Sequence, residues 1–220
     1  ELNDSKAVAF SFGVTEQAAR AAGLPAEMPW ANAKLPDGTL HAGGIVLYGA
    51  PIGTDAFVRA FLAAAVRDAT AAVKRLSYLE SNQHKLIMLR MSFCRKLQHV
   101  QRLVPTSDHT DLLGAYDACL VDAVEDLLGG RGRFTELAAT KVHLPAALGG
   151  LGIDRAAARA AACYYSPSTS AYVRLAALDP DWVRWAYQAH ELHGHAQFAA
   201  QSAAKDRLCA TEGMADLLRK

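Results

Sequence analysis

Apolar residues recur along most of this chain at helical spacing. Between 56 and 79 they follow a period of 3.6 residues, which predicts a helix that begins at Thr54 or Asp55. The clearest periodicity lies between 81 and 104, where one narrow apolar stripe predicts a single helix that Pro105 ends. The predicted core positions of these two helices are Phe57, Phe61, Leu62, Ala65, Ala69, Val73, Leu76, Leu86, Leu89, Phe93, Leu97, Val100 and Val104.

The chain beyond residue 104 is also predicted to be helical. The predicted helices cover 108–128, 154–165, 170–178 and 181–203. The first is expected to bury Leu112, Leu113, Tyr116, Leu120, Val124 and Leu127 and to end at Gly129-Gly130. Asp154 is the expected N-cap of the second, and Ser166-Pro167-Ser168 is expected to break it.

The start of the chain has strand and turn signals instead. Strands are predicted over 7–12 and 45–48, and Thr15 is expected to cap a short helix through Ala22. Asp37-Gly38 predicts a hairpin tip, and Gly49, Pro51 and Gly53 are expected to turn the chain after the second strand. The expected fold is therefore mainly α, a helical bundle with a small β-hairpin element at its N-terminal end.

Composition narrows the class of protein. A hydrophobic content of 51% excludes a disordered tail, and a net charge of +1 gives no global signal for a nucleic-acid partner. Cys94, Cys119, Cys163 and Cys209 lie far apart without metal-ligand spacing, so we expect reduced thiols and an intracellular protein, in no particular compartment. The apolar runs are too short for a membrane span. The absence of an initiator Met suggests a processed chain or a fragment.

Two glycine-rich phrases, 43–53 and 144–153, each follow a short apolar run and precede a helical pattern. They stand downstream of a third phrase at the start of the chain. The three phrases are Leu2-Asn3-Asp4-Ser5-Lys6, then Leu47-Tyr48-Gly49-Ala50-Pro51-Ile52-Gly53, then Leu144-Pro145 with Leu148-Gly149-Gly150-Leu151-Gly152. In this order and spacing, over roughly 1–165, they resemble the part of non-LTR-retrotransposon-type reverse transcriptases that follows the catalytic aspartates. Tyr48 is an extra residue or a local departure from the family's pattern.

The resemblance implies a domain organisation and roles. Residues 1–53 would be the end of a polymerase palm, 54–130 a thumb-like helical domain, and 131–220 a helical C-terminal region. Lys6 would match a lysine that helps pyrophosphate leave, and Gly49, Pro51 and Gly53 would lie in the hairpin that grips the primer. Structural explanations stay open: a solvated lysine, and an ordinary hairpin-to-helix turn.

The resemblance also limits the expected chemistry. A full-length homologue would need Mg²⁺ held by clustered aspartates, and these would lie upstream of Glu1. As it stands, the chain is not expected to synthesise DNA or to hold a cofactor.

Local charge gives a separate signal. No acidic residue lies between Glu80 and Asp108, and on a helical wheel the basic residues fall opposite the apolar stripe. The predicted phosphate-binding residues are Lys85, Arg95, Lys96, His99 and Arg102, with Arg131 and Arg133 in the following glycine linker. The alternative is that this face is solvated or pairs with the acidic helix that follows it.

Two further patterns were weighed as metal sites. His190, His193 and His195 lack the i, i+4 pair of a zinc protease, so zinc is not favoured. Asp179-Pro180-Asp181 is better explained as a helix start.

The sequence therefore favours a reverse-transcriptase-derived segment that binds template–primer or structured RNA. The alternative is a retroelement remnant that serves as a non-catalytic structural subunit of a larger protein or ribonucleoprotein complex.

Overall fold

The computed structural model describes residues 9, 15–28, 30, 32–36, 38–130, 132, 134–179 and 181. The chain is mainly helical, with a small antiparallel β-hairpin element in its N-terminal part, which confirms the predicted fold class. Its contacts divide it into two compact units, Glu1–Asp68 and Ala69–Lys220. The division at 53 and 130 stays a prediction.

The first unit begins with helix α1 (Glu16–Ala21), whose N-cap is Thr15 as expected: the hydroxyl accepts from Ala18 N at 3.2 Å. Two antiparallel strand pairs follow. Strand β1 (Asn32–Lys34) pairs with β2 (Leu40–Ala42), and the chain reverses between Leu35 and Thr39, where the hairpin tip was predicted. Strand β3 (Gly44–Leu47) pairs with β4 (Ala50–Gly53).

The turn in the second hairpin is shorter than predicted. Tyr48 and Gly49 form a two-residue loop with φ values of 50° and 82°, as a type I′ turn requires. Pro51 and Gly53 are strand residues of β4 and do not turn the chain, which corrects the prediction. Pro51 is paired with Val46 at a non-hydrogen-bonded position of the hairpin. The N–H that proline lacks would form no bond between the strands there, so Pro51 is tolerated.

Helix α2 (Asp55–Lys74) follows directly, and Thr54 is its cap, since its hydroxyl accepts from Phe57 N at 3.3 Å. It ends earlier than predicted, in a 3₁₀ turn over Arg75–Tyr78. The predicted core positions are buried apart from Ala65, which is half-buried.

The helix predicted over 81–104 is broken. Helix α3 (Asn82–Met91) begins where the sequence predicted, and Ser81 caps it, but a 3₁₀ turn at Phe93–Arg95 separates it from helix α4 (Gln98–Leu103). The apolar stripe was nevertheless located correctly. Five of its six members are buried, and Leu86 is half-buried.

Helix α5 (Thr110–Leu127) begins two residues later than predicted and ends as predicted. Gly130 N donates to Glu125 O and Gly129 N to Asp126 O, with Gly129 at a φ of 73°. This is a Schellman motif, which explains the glycine pair. Helix α6 (Glu136–His143) is capped by Thr135 and ends at the second glycine phrase.

Helix α7 (Ala156–Leu178) merges the two helices that were predicted over 154–165 and 170–178. Pro167 lies inside it and removes one backbone donor. Ser168, Thr169 and Ser170 follow Pro167, and the hydroxyl of each donates to the carbonyl four residues earlier. Within the second unit, α7 packs on α4 and α5.

Several predictions lie outside the described residues. They are Asp37, Lys6, Arg131, Arg133, Pro180, the strand over 7–12 except Ala9, the helix over 181–203 except Asp181, and the cluster of His190, His193 and His195. Asp179 is described, and it ends α7, with its N–H donating to Leu175 O; the helix that it is expected to cap lies outside the described residues.

Candidate nucleic-acid interface

The acid-free stretch between Glu80 and Asp108 carries exposed cations, but they do not share one helical face. Lys85 is half-buried on α3, Arg95 and Lys96 lie in the 3₁₀ turn and just after it, and His99 and Arg102 lie on α4. The helical wheel that grouped them assumed one uninterrupted helix. Apart from Lys85 these cations are exposed, and the break at 92–97 sets their relative directions.

Two carbonyls at the break accept hydrogen bonds from distant side chains. Tyr116 Oη on α5 donates to Phe93 O at 2.7 Å, and the Arg159 guanidinium on α7 donates to Cys94 O. Phe93 O also accepts from Lys96 N at 3.0 Å, which is the bond of the 3₁₀ turn. The two side-chain bonds tie the turn to α5 and α7, and both Phe93 and Cys94 are buried.

Arg159 also organises the polar interior beside the basic stretch. Its Nε donates to Gln101 Oε1 at 3.2 Å and its Nη1 to Asp154 Oδ2 at 3.4 Å. Gln101 is fully buried, and its Nε2 donates to Ala156 O at 2.6 Å. These bonds join α4, α7 and the turn between α3 and α4. Sequence reasoning missed Arg159, because an arginine in an alanine-rich helix shows no local sign of such a role.

Two contacts bear on the alternative in which the basic helix pairs with the acidic helix. Arg95 Nε lies 4.0 Å from Asp154 Oδ2, and Asp154 precedes α7 and is no part of α5. Asp117 of α5 faces inward, where its two oxygens accept from Ala156 N at 2.7 Å and Ala157 N at 3.1 Å. It is Asp117 that caps α7, which corrects the expectation for Asp154.

Lys85 does meet the acidic helix, in a groove of about 1020 Å³ within the second unit. The polar side chains that line this groove are Lys74, Ser77, Lys85, Cys119, Asp122, Glu125 and Asp126. Glu125 is buried, and it accepts from Phe134 N at 2.7 Å. Lys85 is half-buried, and its Nζ donates to Asn82 Oδ1 at 3.4 Å, so it is less accessible to phosphates than the exposed cations of the same stretch.

Burial dominates the ionisation of the interior groups. Burial raises the pKa of Asp117, and the N–H donors of Ala157 and Ala156 oppose that shift only in part. Burial also raises the pKa of the Tyr116 hydroxyl and of the Cys119 and Cys163 thiols. Raised thiol pKa values keep these cysteines in the poorly nucleophilic thiol form.

The structure explains why glycine occupies three positions of the first phrase. A Cβ at Gly44 or Gly53 would overlap the ring of Phe57, and at Gly53 it would lie 2.7 Å from Phe57 Cδ1. These two glycines face each other across the hairpin, so the fully buried Phe57 packs directly on backbone. Gly49 is required by its positive φ. Gly53 therefore has no free space on the side of Phe57, while Gly49 lies at the tip.

The second glycine phrase caps helix α6. Leu151 N, Gly152 N and Ile153 N donate back to the carbonyls of Lys141, Leu144 and Val142, at 3.1, 2.8 and 3.2 Å. A Cβ at Gly150 would overlap Leu144 O, and Gly152 has a φ of 67°. These N–H groups donate to carbonyls at the end of α6 that have no partner within the helix, so they are already hydrogen-bonded within the chain.

Among the described residues, no group of three or more His, Cys, Asp or Glu side chains is placed to hold a metal ion. Within the same residues, no helix is long and apolar enough to cross a bilayer. Comparison with protein-family models, with curated proteins and with solved structures finds no match for this chain.

Proposed function

We propose that this chain is a reverse-transcriptase-derived segment that binds template–primer or structured RNA. The observation that carries the proposal is the acid-free stretch of the second unit, whose cations Arg90, Arg95, Lys96 and Arg102 are all exposed. Exposed cations without interspersed acids attract phosphates, which release condensed counterions on binding. The three sequence phrases, in their order and spacing, supply the evolutionary side of the proposal.

Salt-dependent binding to an RNA–DNA duplex tests the proposal. Fluorescence anisotropy at rising salt is expected to give an affinity that falls linearly on a log–log scale. Replacing three of the exposed cations, Arg90, Lys96 and Arg102, by Ala is expected to reduce that slope. The triple lysine–arginine variant should lower it by about 2 to 3, since each lost phosphate contact changes the slope by roughly 0.9.

The matched control removes the same charge elsewhere in the second unit. Lys74, Arg75 and Arg174 are exposed and lie outside the acid-free stretch. Replacing these three by Ala is expected to leave the salt slope nearly unchanged. Equal losses in both triple variants would mean that net charge alone drives binding, and no salt-sensitive binding at all would refute the proposal.

The second candidate function is a structural subunit of a larger complex. It is favoured by large apolar side chains that the second unit leaves exposed, among them Tyr78, Met91, Leu148 and Leu178, with exposed fractions of 85%, 71%, 69% and 83%. This function predicts that the native protein co-purifies with fixed protein partners. A monodisperse monomer that binds nucleic acid and no protein would count against it.

A further inference from the structure

The solvent-facing side of helix α3 is apolar. Ile87, Met88 and Met91 are 48%, 39% and 71% exposed, and these three side chains form the apolar ridge of α3. Ile87 and Met91 lie one helical turn apart, on the side of the helix opposite the fully buried Leu89. Exposed methionines favour binding surfaces, because their flexible side chains adapt to the shape of a partner. The apolar ridge therefore has the composition of a contact surface.

Positive charge surrounds the apolar ridge. Arg90 is exposed next to Met91, and Arg95 is exposed in the 3₁₀ turn that follows α3. No acidic residue interrupts the chain between Glu80 and Asp108. A partner that covers the ridge must therefore carry negative charge beside an uncharged centre, because like charges repel each other across an interface.

Helix α5 carries a surface of that kind. The chain has no lysine or arginine between Arg102 and Arg131, so every charged side chain of α5 is acidic. On its exposed side the residues follow the order acid, small, small, acid at spacings of four, three and four, which places them on one helix face. The members of this acidic face are Asp111, Ala115, Ala118 and Asp122. The two alanines leave space for large side chains of another helix, and the acids flank that space.

The apolar ridge and the acidic face of one copy do not meet each other. Within the second unit α3 packs on α5, and Asn82 Nδ2 donates to Leu127 O at 3.1 Å. Side chains packed between the two helices are buried, whereas the ridge and the acidic face are exposed, so both lie outside that contact. A second copy of the chain presents each of these surfaces with its complement.

We propose that two copies of this chain associate by packing the apolar ridge of each on the acidic face of the other, with Arg90 of one copy beside Asp122 of the other. Two such contacts related by a two-fold axis close the dimer. Charge complementarity selects a second copy, since the ridge lies in a stretch without acids and the acidic face lies on a helix without cations. The dimer goes beyond the proposed function and is independent of it, because the contact requires no nucleic acid.

Sedimentation equilibrium of the full chain without nucleic acid tests the proposal. The wild type is expected to form dimers in a concentration-dependent manner. The Kd is expected to rise with salt, because the charge pairs at the rim of the contact are screened.

Charge reversal tests the pairing of the two surfaces. Arg90→Glu and Asp122→Arg are each expected to raise the Kd about tenfold, because each substitution places like charges opposite each other. An equimolar mixture of the two variants is expected to recover dimers with the wild-type Kd, since both contacts of a mixed dimer again join opposite charges. Arg174→Glu, at an exposed arginine of α7, is the matched control and should leave the Kd unchanged.

Met91→Ser tests the apolar ridge separately from charge. It is expected to raise the Kd about tenfold, because it removes a large apolar side chain from the centre of the contact. Leu148→Ser, at a leucine outside the ridge that is 69% exposed, should leave the Kd unchanged. All of these substitutions are at exposed positions, so the urea unfolding midpoints should match that of the wild type.

The outcomes separate this dimer from the proposed function. A wild type that stays monomeric at every concentration overturns the dimer and leaves the apolar ridge to a foreign partner. Dimerisation that is unchanged by Asp122→Arg or Met91→Ser also overturns it, as does a mixture of the charge-reversed variants that fails to recover. None of these results touches the proposed function, which depends on salt-sensitive binding to an RNA–DNA duplex. Dimerisation without duplex binding would refute only the proposed function.

Discussion

Single residues of this chain act across long stretches of sequence, and Asp117 is the clearest case. Its carboxylate lies on α5 and caps α7, 39 residues further along the chain. Arg155, at the N-cap position of α7, provides no side-chain cap of its own. One buried acid thus replaces the local capping residue that the sequence predicted at Asp154.

Removal of this cap is expected to destabilise the second unit. Asp117→Ala leaves the amides of Ala156 and Ala157 without their acceptor, and Ala156 is fully buried. We expect a loss of about 2 kcal/mol in the free energy of unfolding, measured by urea denaturation. Asp122→Ala, an exposed acid of the same helix, is the control and should change that energy by less than about 0.5 kcal/mol. Equal effects would contradict the capping role.

The same residue predicts a pH dependence. Burial raises the pKa of Asp117 above its ordinary value of 3.8, so the folded chain keeps this proton to higher pH than the unfolded chain. The contribution of this titration to stability is full below the unfolded pKa and is lost as pH rises through the folded pKa. Asp117→Asn removes the titration. The wild type should therefore gain stability relative to that variant as pH falls from about 7 towards about 4.

At the scale of elements, the chain's glycines separate into turn glycines and packing glycines. Gly49 and Gly129 have positive φ values, and local sequence predicted both as turn or helix-end residues. Gly44 and Gly53 are needed because Phe57 of α2 packs against the hairpin backbone. That requirement is invisible until the helix and the hairpin meet.

Gly44→Ala tests this contact between elements. The added methyl group would overlap the Phe57 ring, and we expect a cost of about 3 kcal/mol in thermal or urea unfolding. Gly114→Ala is the matched control, because a Cβ there has nothing within 4 Å and the position lies inside α5. The control should gain about 1 kcal/mol from helix propensity. A tolerated Gly44→Ala would show that Phe57 can move aside.

Helix α7 shows how an element can override a local break signal. Pro167 leaves Cys163 O without its usual helical donor, yet the helix continues to Leu178. The first half of α7 packs on α4 and α5, and that packing stabilises it beyond its propensity. Two predicted helices thus became one.

For the whole molecule, the second unit depends on one polar network. Arg159 and Gln101 bond to each other and to three separate parts of the chain. Their partners are Cys94 in the broken helix, Asp154 before α7 and Ala156 at the start of α7. Buried polar groups of this kind must all be satisfied together, so they fix one arrangement of the helices around them. The exposed cations of the acid-free stretch are displayed on the surface of that arrangement.

Arg159→Met is expected to disturb the whole unit. It leaves Gln101 Oε1 and Cys94 O without their donor, at a cost of about 3 kcal/mol in urea unfolding. Arg159→Lys should recover only part of this loss, because an ammonium group cannot reproduce the guanidinium fork. Arg174→Ala, at an exposed arginine of the same helix, should be nearly neutral. Full recovery by Lys would argue against the three-way connection.

The sequence by itself determined which residues are buried and where most helices begin. The apolar stripe from Leu89 to Val104 is buried despite the broken helix, and Thr15 and Thr54 cap their helices as predicted. These signals succeed because periodicity and caps depend on residues only a few positions apart.

Only the tertiary structure decided where the second helix breaks, what caps α7, how the cations are arranged and why Gly44 and Gly53 are glycines. At the break, Phe93 O and Cys94 O accept from donors 23 and 65 residues away, at Tyr116 and Arg159. A carbonyl oxygen accepts equally well from its own helix or from a side chain that folding brings to it. No local pattern distinguishes those two cases, so the sequence could locate the cations but could not determine the surface they form.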